Sequence, residues 1–118
     1  MEEMIDRAER LMRHLPGIER STTYGYPALK AGGKVVANHC RYPDTLSVHC
    51  PIELKAVLIE AEPDIYYDTD HFAGWPAVLV RMDVIGDEAL AGRLEAAWLE
   101  RAPRKLVKAY EAQRSSEA

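Results

Sequence analysis

Apolar residues return along this chain at two different spacings, and the switch between them marks out its elements. Met4, Ile5, Ala8, Leu11, Met12 and Leu15 recur at helical spacing and form one stripe. Arg7, Arg10 and Arg13 lie mainly off that stripe among Glu2, Glu3, Asp6 and Glu9, a solvated and self-paired face. Pro16-Gly17 ends this first helix. The spacing then drops to two. Ile18 to Tyr24 suits a half-exposed strand, and Ala28 to Ala31 and Lys34 to Cys40 flank Gly32-Gly33, a two-residue hairpin signal. Thr45 to Cys50 alternates, with Leu46, Val48 and Cys50 on one side and Ser47 and His49 on the other. A two-residue turn at Pro43-Asp44 would set Cys40 opposite Ser47 and Cys50 opposite Ala37. In that register Val35, Ala37, Leu46, Val48 and Cys50 face the core. Leu29, Val36, Asn38, Cys40, Ser47 and His49 form a mixed outer face.

Pro51 opens a second helix, with Leu54, Val57, Leu58 and Ala61 as its buried stripe. Asp64 to Asp68 reads as a short strand and Ala77 to Met82 as the most strand-like run of all. Asp87 is placed to cap a third helix, whose stripe is Leu90, Ala91, Leu94, Ala97 and Trp98. Pro103 breaks it, and a fourth helix follows from Arg104 to about Gln113. The order predicts an α+β fold: one compact domain over 1–114, an antiparallel meander with helices mainly on one face, and a disordered tail over 115–118. No βαβ alternation and no glycine-rich phosphate loop occurs, which excludes a Rossmann or P-loop domain.

Size changes this picture little, since 118 residues make one core. Two cysteines are too few for a disulfide scaffold or a thiolate zinc site, and the expected register turns them to opposite faces as reduced thiols. No apolar run reaches membrane-helix length and the acidic start is no secretory signal, so the expectation is a cytoplasmic protein with no membrane partner. Charge changes more. The net charge of −4 disfavours generic nucleic-acid binding. Yet Glu60 to Asp70 holds five acids and no base, while Arg101, Arg104, Lys105 and Lys108 make one helix face positive.

Chemistry concentrates in Asp68-Thr69-Asp70-His71-Phe72-Ala73-Gly74-Trp75-Pro76, between two strands. Asp68, Asp70 and His71 could offer metal ligands or an acid–base pair, though the spacing matches no ligand signature. The aspartates could equally bond turn backbone while Phe72 and Trp75 close the core. A third use is a partner surface. At Tyr24-Gly25-Tyr26-Pro27 the chain must bend, leaving two tyrosines either on a binding corner or half-buried in the strand. No nucleophile, base and oxyanion set assembles, so the chain leans away from being an enzyme, with no catalytic residue and no cofactor.

Several of these motifs, taken in order, resemble the MmcQ/YjbR family of small bacterial proteins. The matching pieces are Leu15-Pro16-Gly17-Ile18-Glu19, Tyr24 to Lys30 with Gly33-Lys34, Thr69 to Pro76, Val78 to Arg81, and Trp98 with Ala102 to Leu106. The resemblance implies a fold like the bacterial frataxin-like (YjbR/CyaY-like) and secretion-chaperone-like folds, and the family's DNA-binding label. Its phosphate-contacting positions would map to Lys30, Lys34, Arg81, Arg104 and Lys105. Three functions therefore stand as expectations. One is a module for double-stranded DNA or regulation. The second is a protein- or small-ligand-binding domain using Tyr24, Tyr26, Asp70, His71 and Trp75. The third is a metal-dependent or iron-handling protein, suggested by the acidic Glu60–Asp70 run together with the frataxin-like fold.

Overall fold

The computed structural model describes residues 2–117. Four helices and six strands run in the order α1 (Met4–Leu11), β1 (Ile18–Thr23), β2 (Tyr26–Ala31), β3 (Lys34–His39), β4 (Thr45–His49), α2 (Ile52–Ala61), β5 (Tyr66–Tyr67), β6 (Ala77–Arg81), α3 (Asp87–Arg101) and α4 (Arg104–Glu117). The strands form one antiparallel sheet, β1-β2-β3-β4-β6-β5, so the α+β expectation holds. Ala118, the last residue of the expected tail, lies outside the described residues.

Helices α1, α3 and α4 share one face. Ile5, Ala8, Met12, Leu90, Leu94 and Trp98 meet Leu29, Ala37, Leu46, Val48, Val78 and Val80 there in a single core. The Trp98 indole N–H donates to the Pro16 carbonyl at 3.0 Å, so the largest buried side chain leaves no polar atom unpaired. Tyr110 of α4 packs edge-on against Trp98, with ring centroids 5.2 Å apart, and donates to Glu95 at 2.8 Å.

Several expectations are corrected. The outer face was to include Leu29 and Val36, and the core Val35. Instead Leu29 and Val36 are fully buried in the core and Val35 is half-exposed. The register slips between Leu29 and Lys30: Lys30 faces Val35, but Leu29 faces Ala37. Val36 is the extra residue of a β-bulge, and a bulge reverses the alternation on one side of itself. The β3–β4 pairing also moves by two residues, to Ala37↔Val48 and Asn38↔Ser47. A two-residue hairpin turn needs positive φ at its first position, which the proline ring of Pro43 forbids, so the connection lengthens and only Asp44 (φ 53) turns left-handed. A shift of two leaves every side chain on its expected face. Asp87 does not cap α3, since Gly86 holds that position. Asp87 instead pairs with Arg7 at 2.8 Å. Arg7 also donates to the Met82 and Ile85 carbonyls, so α1 is fastened to the β6–α3 connection rather than merely solvated. On α2, Val57 is exposed and Lys55 is buried.

Candidate functional site

The other sheet face carries Asn38 and Ser47, opposite each other on β3 and β4. There β1 and β2 close through Tyr24-Gly25, both at positive φ (50 and 80), as a tight right-twisting hairpin requires. Glycine takes that conformation freely, whereas tyrosine is strained in it by about 1 kcal/mol. The result is a Tyr24 side chain that is 85% exposed at the end of the sheet.

The segment from Asp68 to Pro76 folds back over the same face. It is fastened from behind by Lys55, which is only 4% exposed. Its ammonium donates to the Phe72 and Trp75 carbonyls at 3.0 Å each and pairs with Asp68 Oδ2 at 3.0 Å. All three protons are thereby used. The turn's backbone is closed by Phe72 N–H to the Thr69 carbonyl at 3.0 Å and Trp75 N–H to the Phe72 carbonyl at 2.9 Å. Phe72 packs on Tyr42, and Tyr42 on Tyr67. Tyr42 donates to Thr69 Oγ1 at 3.0 Å, and the Tyr67 and Thr45 hydroxyls are 2.5 Å apart. This aromatic satellite covers the sheet on one side and leaves it open on the other.

The open part is a cleft of about 650 Å³. Tyr24, Tyr26, His71 and Trp75 line it, so the tyrosine corner and the histidine–tryptophan turn come together. Asn38, Cys40, Ser47 and His49 line it too, as residues of the expected outer face. Of the other expected surface residues, Asp70 is exposed but outside the cleft. Sequence reasoning passed over Arg41 and assigned Arg101 only to a basic helix face, yet both line the cleft. Arg101 reaches it by donating from Nε to the Val35 carbonyl at 3.1 Å, beside the bulge. Lys55 was missed because its partners lie far along the chain. A lysine on the inward side of an otherwise apolar helix was its one visible signal.

Burial shifts several titratable groups at and near the cleft. Burial, aided by Arg101, holds the His49 imidazole below its ordinary 6.5, while Glu100 pulls the other way. His49 Nε2 lies 3.1 Å from Glu100 Oε2, so the imidazole is engaged within the fold. Burial raises the thiols of Cys40 and Cys50 above their usual range, and both are free. Among the described residues, no three His, Cys, Asp or Glu side chains gather as a metal site. Nor is any described helix long and apolar enough to cross a membrane.

The expected phosphate-contacting set is divided. Lys34, Arg104 and Lys105 are exposed near one end of the sheet, where Gly32 abuts the Pro103 ring. Lys30 is half-buried on β2. Arg81 lies toward the far end, paired with Thr45 across the sheet. It stacks over the Tyr67 ring at 4.1 Å and donates to the Pro63 carbonyl at 3.1 Å, so it is already engaged.

Comparison with known proteins agrees with the resemblance of the motifs. The chain is 46% identical over 57 residues to the uncharacterized protein Mb2600 of Mycobacterium bovis and to the uncharacterized proteins MT2646 and Rv2570 of Mycobacterium tuberculosis. The match takes in 48% of this chain and 44% of each relative, so less than half the length of those relatives is spanned. No solved structure matches. The YjbR family model matches residues 13–100, from just past α1 to the last turn of α3, and the chain belongs to the YjbR family.

Proposed function

We propose that this chain is a non-catalytic binding domain whose ligand sits in the cleft between the tyrosine corner and the Asp68–Pro76 turn. The observation that carries the reading is convergence. Tyr24 and Tyr26 from one end of the sheet, and His71 and Trp75 from a loop far along the chain, line one concavity of about 650 Å³. That volume suits a small molecule or a short peptide segment. Exposed aromatic side chains around a concavity, with a few polar groups on its floor, are the usual make-up of such a site. The raised Cys40 thiol and the engagement of His49 by Glu100 favour binding over catalysis.

The test is a fragment library read by amide chemical shifts of the labelled protein. Hits are expected to move Asn38, Ser47, His71 and Trp75 together, and a Trp75→Ala variant to lose them while melting within about 2 °C of wild type. A library that leaves those four resonances still, or a Trp75→Ala chain that unfolds, refutes the reading.

A second reading is duplex DNA on the basic edge. It is favoured by the adjacency of the Lys34 turn to the start of α4 through the Gly32–Pro103 contact, which sets three exposed cations close together. It predicts micromolar binding at low salt that weakens steeply as salt rises and weakens again in an Arg104→Ala/Lys105→Ala double variant. Fluorescence anisotropy on a labelled duplex showing no binding at low salt ends that reading.

A further inference from the structure

The cleft of a protein with 19 carboxylate side chains and a net charge of −4 is lined by none of them. Apart from Tyr24 and Tyr26, its ionisable lining is Arg41, Arg101, three histidines and Cys40. Glu100, which contacts His49, lies outside the lining. Apart from its Nε bond to Val35, Arg101 keeps its remaining guanidinium donors without a partner among the described residues. Arg41 is exposed and holds nothing else in the fold. Excluding acids from a concavity while placing two arginines in it makes the site attractive to an anion.

A second observation concerns the aromatic groups. Tyr42, Tyr67 and Phe72 spend their faces on one another and on Arg81. Tyr24, Tyr26 and Trp75 stack on no ring among the described residues, and Tyr24 and Trp75 are 85% and 53% exposed. Exposed, unpaired ring faces on two sides of a cleft suit a flat guest. A third observation lies on the floor. Ser47 is 3% exposed and lines the cleft, yet its hydroxyl has no hydrogen-bond partner among the described residues and is not among the atoms sealed from solvent. A buried residue with an unused hydroxyl aimed into a cavity is a donor waiting for a ligand acceptor.

We propose that the cleft takes a small molecule that joins a flat aromatic ring to an anionic group, with the ring against Tyr24 and Trp75 and the phosphate or carboxylate against Arg41 and Arg101. The proposal rests on the binding-domain reading above and names its ligand class. The two anions are told apart by matched probes. Adenosine 5′-monophosphate and indole-3-acetate carry ring and anion together. Adenosine and indole carry the ring alone, and inorganic phosphate and acetate the anion alone.

Each probe is titrated against the full chain, followed by amide shifts at Ser47, His71 and Trp75. At least one joined probe is expected to bind about tenfold more tightly than its neutral ring, the worth of one charge-assisted contact, and the tighter of the two identifies the anion. Arg41→Gln is expected to erase most of that tenfold while leaving the neutral ring unchanged. Arg101→Gln should do the same, and Arg41 covers the case in which loss of the Val35 bond disturbs the fold. Neutral rings binding as tightly as the joined probes overturn this proposal and leave the binding reading intact. An Arg41→Gln chain that keeps the full preference also overturns it. No cleft shift from any ring-bearing probe at millimolar concentration sinks the proposal, and failure of the fragment library as well sinks the reading beneath it.

Discussion

Replacing Lys55 by methionine should separate the fastening of the Asp68–Pro76 turn from everything else in the fold. Methionine keeps the length and apolar stem of lysine and removes only the ammonium. Three contacts go with it: the Phe72 and Trp75 carbonyls and the Asp68 carboxylate, each 3.0 Å away. Hydrogen bonds to a charged group contribute about 1.5–3 kcal/mol each, for a gross loss of about 4.5–9 kcal/mol. Two effects offset part of it. The ammonium no longer has to be desolvated, and the partners lie near the surface: the Asp68 side chain is 29% exposed, Phe72 is half-buried and Trp75 is exposed, so water can re-bond them. A net destabilisation of about 2–3 kcal/mol remains, a fall in Tm of roughly 10 °C for a chain of this size. Urea unfolding measures the global term, and hydrogen exchange locates it. The Phe72, Trp75 and Ala77 amides, bonded to the Thr69, Phe72 and Trp75 carbonyls, should lose protection while β3 and β4 amides change only with global stability. In a Lys55→Met background, Asp68→Asn should cost almost nothing more. A Lys55→Met chain within about 0.5 kcal/mol of wild type, with unaltered exchange in the turn, would show that the ammonium does not hold it.

Gly32→Ala should destabilise far more than Gly33→Ala. Both sit at positive φ, worth about 1 kcal/mol of strain, but a Cβ at Gly32 overlaps the Pro103 ring and one at Gly33 meets nothing, so a gap of about 1–3 kcal/mol in thermal melts is expected and equal losses would refute the close packing. Trp98→Phe removes the bond to the Pro16 carbonyl and part of the buried ring, for a loss of about 2–4 kcal/mol by urea unfolding; a value under 1 would be inconsistent with the contact. His39 should make stability pH-dependent. Burial lowers its folded pKa below the ordinary 6.5, and its Nε2 is buried without a partner among the described residues. Between the two pKa values the unfolded chain binds the extra proton, so stability is fully present above 6.5 and falls as pH drops through that window. His39→Leu should flatten the fall measured between pH 8 and 5, and an unchanged slope would assign it to other groups.

The helical stripes and the Gly32-Gly33 turn were legible because a 3.6-residue period and a positive-φ pair leave direct marks in the sequence. So was the accessibility of Asn38, Cys40, Ser47 and His49, whose faces survive a two-residue slip. The bulge was not legible. Val35 and Val36 are chemically identical neighbours, and no local rule says which of them is the extra one. The two halves of the cleft could be read as unusual loops, but Arg101 reaches it through a bond to the Val35 carbonyl, and a backbone acceptor far along the chain leaves no mark in the sequence. Lys55 acts through two backbone carbonyls of a distant loop, and backbone acceptors carry no sequence identity.

The turn and the tyrosine corner share a mechanical property that bears on what the cleft can do. Each is held by groups other than its own exposed side chains. Lys55 grips the turn through main-chain carbonyls, and Phe72 anchors it in the Tyr42–Tyr67 cluster. Tyr24 is presented by the conformation of its own turn, backed by the β1–β2 ladder from Thr23↔Tyr26 onward. The side chains of His71, Trp75 and Tyr24 therefore make no hydrogen bond among the described residues and contribute little to stability. A scaffold that fixes the backbone while leaving such side chains uncommitted has met its ordering cost at folding, so less remains to be met when a guest arrives. Stability and recognition should consequently come apart under mutation. Substitutions at Lys55 and Gly32 should lower stability with or without a ligand present, and substitutions at Tyr24 and Trp75 should empty the cleft without lowering stability. A Tyr24→Ser chain that loses stability in proportion to binding would mean that the corner belongs to the core's packing, and the cleft would then have no aromatic wall to spare.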